Sequence, residues 1–261
     1  MACPPMPGRP MPGPGPVLRS PLGLAHAVTA LLAVVIVADV LSLGAAAYMR
    51  SVMADVLSTG PTGIDMDAVD RADTAIAGSS GLYLLGLIGT ATLFIIWFHR
   101  VRHNAEVFAP DVQRRTPGWA IGGWFIPFAN LWIPRGIAQD VLRASQPDPY
   151  AGELRHQRLL NSWWSLWIVS NIFDRLAARQ YDAAEDPQAV HDAAGWLMLG
   201  SVLDIVAAVL ALLFVRRLTA DQNAKAMAGN PFPPEPQYPA AGGPVPRPAP
   251  DGRRRRTPDD T

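Results

Sequence analysis

Hydrophobic positions in this chain fall in long unbroken runs, and the runs define its architecture. Leu22 to Ala47 is a stretch of 26 residues in which Asp39 is the single formal charge. Ser80 to Phe98 holds 19 residues without a charge, and Gly195 to Val215 holds 21 with Asp204 alone. About 20 apolar residues in a helix cross a hydrocarbon core roughly 30 Å thick, so each run predicts a transmembrane span. A fourth run, Leu159 to Phe173, offers 15 uncharged residues and reaches spanning length only by continuing through Asp174 and Arg175 to Ala178. There an adjacent acid and base can extend toward lipid headgroups. A cleavable signal peptide is the competing reading of the first run. Its apolar core would be about 7 to 15 residues followed by a small-residue cleavage site, and this run is far longer.

The segment Gly118 to Pro134, GWAIGGWFIPFANLWIP, is 17 uncharged residues long, and Gly122, Gly123 and Pro127 interrupt any helix through it. The distribution of basic residues decides between a crossing and a re-entrant or interfacial dip. With a dip and a cytoplasmic N-terminus, the cytoplasmic pieces hold 18 basic residues and the outer pieces four: Arg50, Arg71, Arg175 and Arg179. With a crossing, the better orientation leaves 14 inside and 8 outside. The positive-inside bias favours the dip. The expected fold is therefore an all-α integral membrane bundle of four transmembrane helices, spans about 22–47, 80–98, 159–178 and 195–215. The Trp/Pro-rich segment 118–134 is re-entrant or interfacial, and both termini are cytoplasmic.

Composition fills in the ends. The first 16 residues hold 7 of the 26 prolines and residues 231–261 hold another 10, which predicts disordered tails at 1–20 and 223–261 around a transmembrane domain at 21–222. Arg253, Arg254, Arg255 and Arg256 could add about 1 kcal/mol each toward an anionic leaflet if they stay close to it. Formal net charge is zero, so no global field attracts nucleic acid. The single cysteine, Cys3, excludes a disulfide framework or a cysteine zinc site. One lysine against 21 arginines, with heavy Ala, Gly and Pro usage, points to a GC-rich bacterial genome and hence an inner-membrane protein.

The stretch WFHRVRHNAEVF at Trp97 to Phe108 is followed by PGWAIGGWFIPFANLWIPR at Pro117 to Arg135, Trp163 and Trp164, and LDIVAAVLALLFVRRLTADQ at Leu203 to Gln222. Together these resemble the bacterial multi-pass membrane proteins grouped as domain-of-unknown-function family 4328. The likeness covers about residues 80 to 222 and extends to the first span. The resemblance implies an integral membrane location and no established activity, and it supplies no catalytic residues.

Candidate chemistry rests on side chains. An aspartate at the centre of a membrane helix costs about 2.5 to 3.5 kcal/mol, which the apolar residues around Asp39 and Asp204 can offset. Counted from the outer ends of their runs, both lie about 12 to 14 Å deep. Asp204 shares a helical face with Gly200, Ser201, Ala207, Ala208 and Ala211, and Asp39 shares one with Ser42 and Ala46, so both face the bundle. Gly86 and Thr90 give the second span a similar seam. Two such carboxyls could share a proton or bind a cation. The plainer reading has each hydrogen-bonded to Ser42, Ser201 or a backbone carbonyl.

His99 and His103 have ligand-like spacing with Glu106 close by, yet Arg100 and Arg102 oppose a cation there, and no metal site is expected. Trp124, Pro127, Asn130, Trp132 and Arg135 could form a lipid or ligand contact or simply cap a turn. Trp119, Trp124, Trp132, Trp163, Trp164 and Trp167 read as an interfacial aromatic belt. The acids of residues 50–79 and 174–193 read as solvated loops. Ile137, Val141 and Leu142 predict a short helix on the inner surface. Nothing resembles a nucleophile elbow, a phosphate loop or HExxH, so neither enzyme activity nor a cofactor is expected. The leading expectation is a structural or interaction role among lipids. The first alternative is a small ion- or proton-coupled permease or channel subunit using Asp39 and Asp204; the second is a membrane enzyme with a His99/His103 metal site.

Overall fold

The computed structural model describes residues 17–60 and 65–229. Among these the chain is helical and has no strand. In chain order α1 is Leu22–Thr59, α2 is Met66–Phe108, α3 is Trp119–Gly122, α4 is Ile133–Ser145, α5 is Gln157–Asp182 and α6 is Pro187–Met227, with a 3₁₀ turn at Ala129–Leu131. Three of these helices, α1, α2 and α6, are long and apolar enough to cross a membrane. At 26 residues α5 has the length, but Arg158, Asn161, Asn171, Asp174, Arg175 and Arg179 make it less apolar.

The helices outrun the apolar runs that predict them. With 38 residues in α1 and 43 in α2, each is well over 50 Å long at about 1.5 Å per residue. Most of the expected loop 50–79 is therefore helix. Met49, Val52 and Met53 of α1 pack there against Ala68 and Ala72 of α2 and Ala194 of α6. Two of the supposed loop acids are caps. Asp65 Oδ1 accepts from the Ala68 amide at 3.1 Å and Asp186 Oδ1 from the Ala189 amide at 2.8 Å, satisfying donors that a helix start leaves open.

Helix α1 packs along both α2 and α6, and α6 along α5, whereas α2 and α5 do not pack along their lengths. Gly86 and Gly89 of α2 allow the first of these contacts. A Cβ at Gly86 would lie 3.2 Å from Val35 Cγ2, and one at Gly89 would lie 3.3 Å from Leu31 Cδ1. The result is an open arc, α2–α1–α6–α5, with a slot between its end helices.

At the end of the slot nearer α4, aromatic side chains close it. Trp163 stacks on Phe214 at 5.0 Å between centroids, Phe94 meets Trp163 at 5.6 Å, and Trp124 meets Phe94, Trp164 and Trp167 at 5.7, 5.8 and 6.0 Å. Trp163 and Trp164 are thus buried core residues rather than members of an interfacial belt. The reason is the slot itself, which needs large rings to fill it. Trp164 Nε1 also donates to the Leu131 carbonyl at 2.8 Å, tying the irregular segment to α5.

The α4 helix carries Ile137, Val141 and Leu142 on its buried side, as their spacing predicts. Its Asp140 accepts two close contacts from Arg114, 2.9 Å from Nε and 2.8 Å from Nη2. On the nearby connection Tyr150 Oη donates to Asp111 at 2.8 Å, and that carboxylate pushes the phenol up. Helix α6 continues five residues past the expected tail boundary at 222, because Gln222 and Lys225 are buried against α2 and α4. At the other end, residues 17–20 are not helical, and Arg19 exchanges two hydrogen bonds with Asn104, at 2.9 and 2.8 Å. The other expectations for the tails, including lipid contact through Arg253 to Arg256, lie outside the described residues.

Candidate functional site

Polar side chains gather in the slot midway along the bundle. Asp39 of α1 is 3% exposed, and its Oδ2 has no hydrogen-bond partner. It lines a cavity of about 610 Å³ together with Ser42, Tyr83, Asp174, Ser201 and Asp204. The two aspartates singled out from the sequence therefore meet at one cavity, as do their neighbouring serines. No hydrogen bond links Asp39 to Ser42 or Asp204 to Ser201 among the described residues; Asp204 is instead paired with Tyr83.

Two members of the layer escaped the sequence reading. Asp174, whose place beside Arg175 predicts a reach toward headgroups, instead points inward and lies over Gly200, where a Cβ would come within 2.8 Å of its Oδ1. A side chain at 200 would force that carboxylate to shift from its place over α6. The carboxylate interacts there with Asp204. Tyr83 donates its hydroxyl to Asp204 Oδ2 at 3.3 Å. The signal for both was helical spacing: Tyr83 stands three and seven residues before Gly86 and Thr90, and Asp174 lies four after Ser170 and three before Ala177.

Toward the 60–65 and 183–186 connections the cavity reaches Asp73, Tyr181 and Asp182. Tyr181 Oη donates to Asp73 Oδ1 at 2.9 Å, one of the few links from α5 to α2. Toward α4 a second cavity, of about 300 Å³, is lined by Phe94, Trp124, Trp163, Trp167 and small residues of α6. Tyr83 and Asp204 belong to both cavities. A carboxyl–phenol pair thus separates a polar chamber from an aromatic one.

Chemically, the chamber gathers five carboxyls, Asp39, Asp73, Asp174, Asp182 and Asp204, and like charges held close repel in a low dielectric. Such a layer can take up protons or positive charge. Among the described residues no three His, Cys, Asp or Glu side chains are placed to hold a metal ion.

The other candidates stand apart from this chamber. His99 and His103 meet edge to face at 4.6 Å between ring centroids, and Glu106 pairs with Arg102 at 3.6 Å. Arg135 Nη2 donates to Asn161 Oδ1 at 2.7 Å, joining α4 to α5. The expected helix break falls where Gly122, Gly123 and Pro127 place it, with α3 ending at Gly122 and turns following. Asn130 is half-buried in the 3₁₀ turn and Trp132 is exposed at the start of α4. Only Trp124 of that group reaches the cavities.

Fold and site together define a helical membrane protein with a carboxylate-lined chamber between its helices. Residues 60–220 match the family described as Domain of unknown function (DUF4328), and the chain belongs to that family. The match takes in Tyr83, Asp174 and Asp204 and begins beyond α1, so Asp39 and the first span lie outside it. No curated protein and no solved structure matches the chain.

Proposed function

We propose that this is a multi-pass protein of the bacterial inner membrane acting as a small proton-coupled permease or channel subunit, with Asp39, Asp174, Asp204 and Tyr83 as its proton site. The observation that carries the reading is the Asp39 carboxyl: more than nine-tenths buried, with one oxygen unpartnered, and lining a chamber with four other acids. Buried polar groups almost always find partners, and an intramembrane acid without one marks a site that something else must occupy. A proton suits the layer better than a coordinated metal ion, given how the acids are spread. The reading assigns no enzymatic step.

In this proposal α5 is the fourth span and both termini face the cytoplasm, where arginine asymmetry puts them. Segment 118–134 is re-entrant. What supports this is its apolar tip, with Phe125 72% and Phe128 76% exposed, a costly arrangement in water and a comfortable one in lipid.

The test uses the full chain in liposomes with a trapped pH dye and an imposed potential. Asp39→Asn and Asp204→Asn keep shape and remove the ionisable group. Both are expected to fold at wild-type yield and to lose proton flux at least tenfold. Wild-type flux in both variants would sink the transport reading and return the protein to a structural role.

A further inference from the structure

The aromatic chamber beside the acids carries a substrate class. Neither cavity is lined by an Arg, Lys or His. The smaller one presents Phe94, Trp124, Trp163 and Trp167, whose ring faces attract positive charge as well as apolar bulk. Its volume of about 300 Å³ suits a small organic body. Thr90, 7% exposed, also lines it, and its hydroxyl has no hydrogen-bond partner; the Trp124 indole N–H on the same wall has none either. Membrane threonines ordinarily bond the carbonyl one turn back, so an orphaned Thr90 marks a wall built to meet something.

We propose that the two chambers together bind an organic cation, its charge at Asp204 and Asp39 and its apolar body among the four aromatic rings. The inference rests on reading the carboxylates as a site for positive charge, and it names what competes there with the proton. Entry follows from the fold. Because α2 and α5 do not pack along their lengths, the slot between them is open to the side, so a lipophilic cation dissolved in the leaflet can reach the rings without passing through either loop. Charge is satisfied at the deep wall by Asp204, held in place by the Tyr83 hydroxyl at 3.3 Å. Binding a cation at these carboxyls displaces a proton, which is the exchange a coupled carrier requires.

The experiment uses the full chain in zwitterionic nanodiscs and two probes of matched shape and opposite charge, tetraphenylphosphonium and tetraphenylborate. Binding is followed by quenching of the tryptophan emission that Trp124, Trp163 and Trp167 contribute, and by proton release in weakly buffered solution. The expected result is saturable binding of tetraphenylphosphonium with proton release, no saturable binding of tetraphenylborate, and at least tenfold weaker cation binding by Asp204→Asn. Thr90→Val, which keeps shape and removes the orphaned hydroxyl, serves as the second variant and is expected to shift cation affinity while folding normally. Equal binding of both probes, which marks an apolar cleft for acyl chains, overturns the inference. So does wild-type cation affinity in Asp204→Asn, or no saturable binding at all. Proton flux without cation binding removes this inference alone, whereas cation binding without flux removes the transport reading and leaves the binding site standing.

Discussion

Each acid in the slot is held by a different neighbour, and this sets what single substitutions do. Asp174 depends on the missing side chain at 200: an added methyl would lie 2.8 Å from its Oδ1 and push the carboxyl away from Asp204. Gly200→Ala is therefore expected to reduce proton flux about as much as Asp174→Asn, although it removes no charge. Gly44→Ala, whose Cβ would meet nothing within 4 Å, is the matched control and should keep wild-type flux. Equal flux in both alanine variants would refute the positioning role of Gly200. Sequence made part of this layer legible. A lone acid in an oily run is conspicuous, so Asp39 and Asp204 stood out, and small residues on their faces gave the inward direction. Asp174 did not, because Arg175 beside it and the weak hydropathy of its run suggested a helix end at the headgroups. Tyr83 was hidden for another reason: a tyrosine in an apolar run carries no charge to attract attention.

At the scale of elements, the apolar runs located the oily part of each helix and missed its extensions. Hydropathy reports the surrounding solvent, whereas helix length here follows caps and packing beyond it, as with Asp65 and Asp186 at the starts of α2 and α6. The far end of α6 shows the same thing through the chain's single lysine. Lys225 Nζ donates to the Ala144 carbonyl at 2.8 Å and the Gln146 carbonyl at 2.6 Å, and it lies 5.4 Å from the Phe108 ring centroid. It thereby caps the C-terminus of α4, where free carbonyls and the helix dipole favour a cation. Gln222 adds bonds to the Val101 carbonyl at 2.9 Å and Ser145 Oγ at 3.3 Å. Three helices are fastened by two side chains, Gln222 at the expected boundary of the domain and Lys225 just beyond it. Lys225→Met keeps most of the stem and removes the charge, and hydrogen bonds to charged groups contribute about 1.5 to 3 kcal/mol. The expected outcome is a lower thermal midpoint in detergent with α4 the first element to exchange its amide hydrogens. An unchanged midpoint would show that solvent replaces both bonds without loss.

The whole molecule turns on α5. Helix α2 ends beside α4, while α6 starts at the opposite end, where Arg50 of α1 donates to the His191 carbonyl at 3.1 Å. The chain must therefore travel the length of the bundle between them, and α5 makes that journey: Trp163 near its start stacks on Phe214, and Tyr181 near its end bonds Asp73. A helix too polar to be chosen on hydropathy alone can cross when its acids turn to protein and its arginines reach the headgroups: Asp174 turns toward Gly200, and Arg175 and Arg179 near the end of α5 are exposed. The proposed four-span topology then makes a sharp demand on labelling. In a Cys3→Ser background, cysteines at Ser58 and Ala183, both exposed near the 60–65 and 183–186 connections, should react with an impermeant maleimide added to intact cells. A cysteine at Gly152, where an added side chain meets nothing, should react only after the membrane is opened. Were Gly152 and Ala183 to label from the same side, α5 would be a surface helix, the slot would lose its lipid boundary on that flank, and the carboxyls would open to water instead of to lipid.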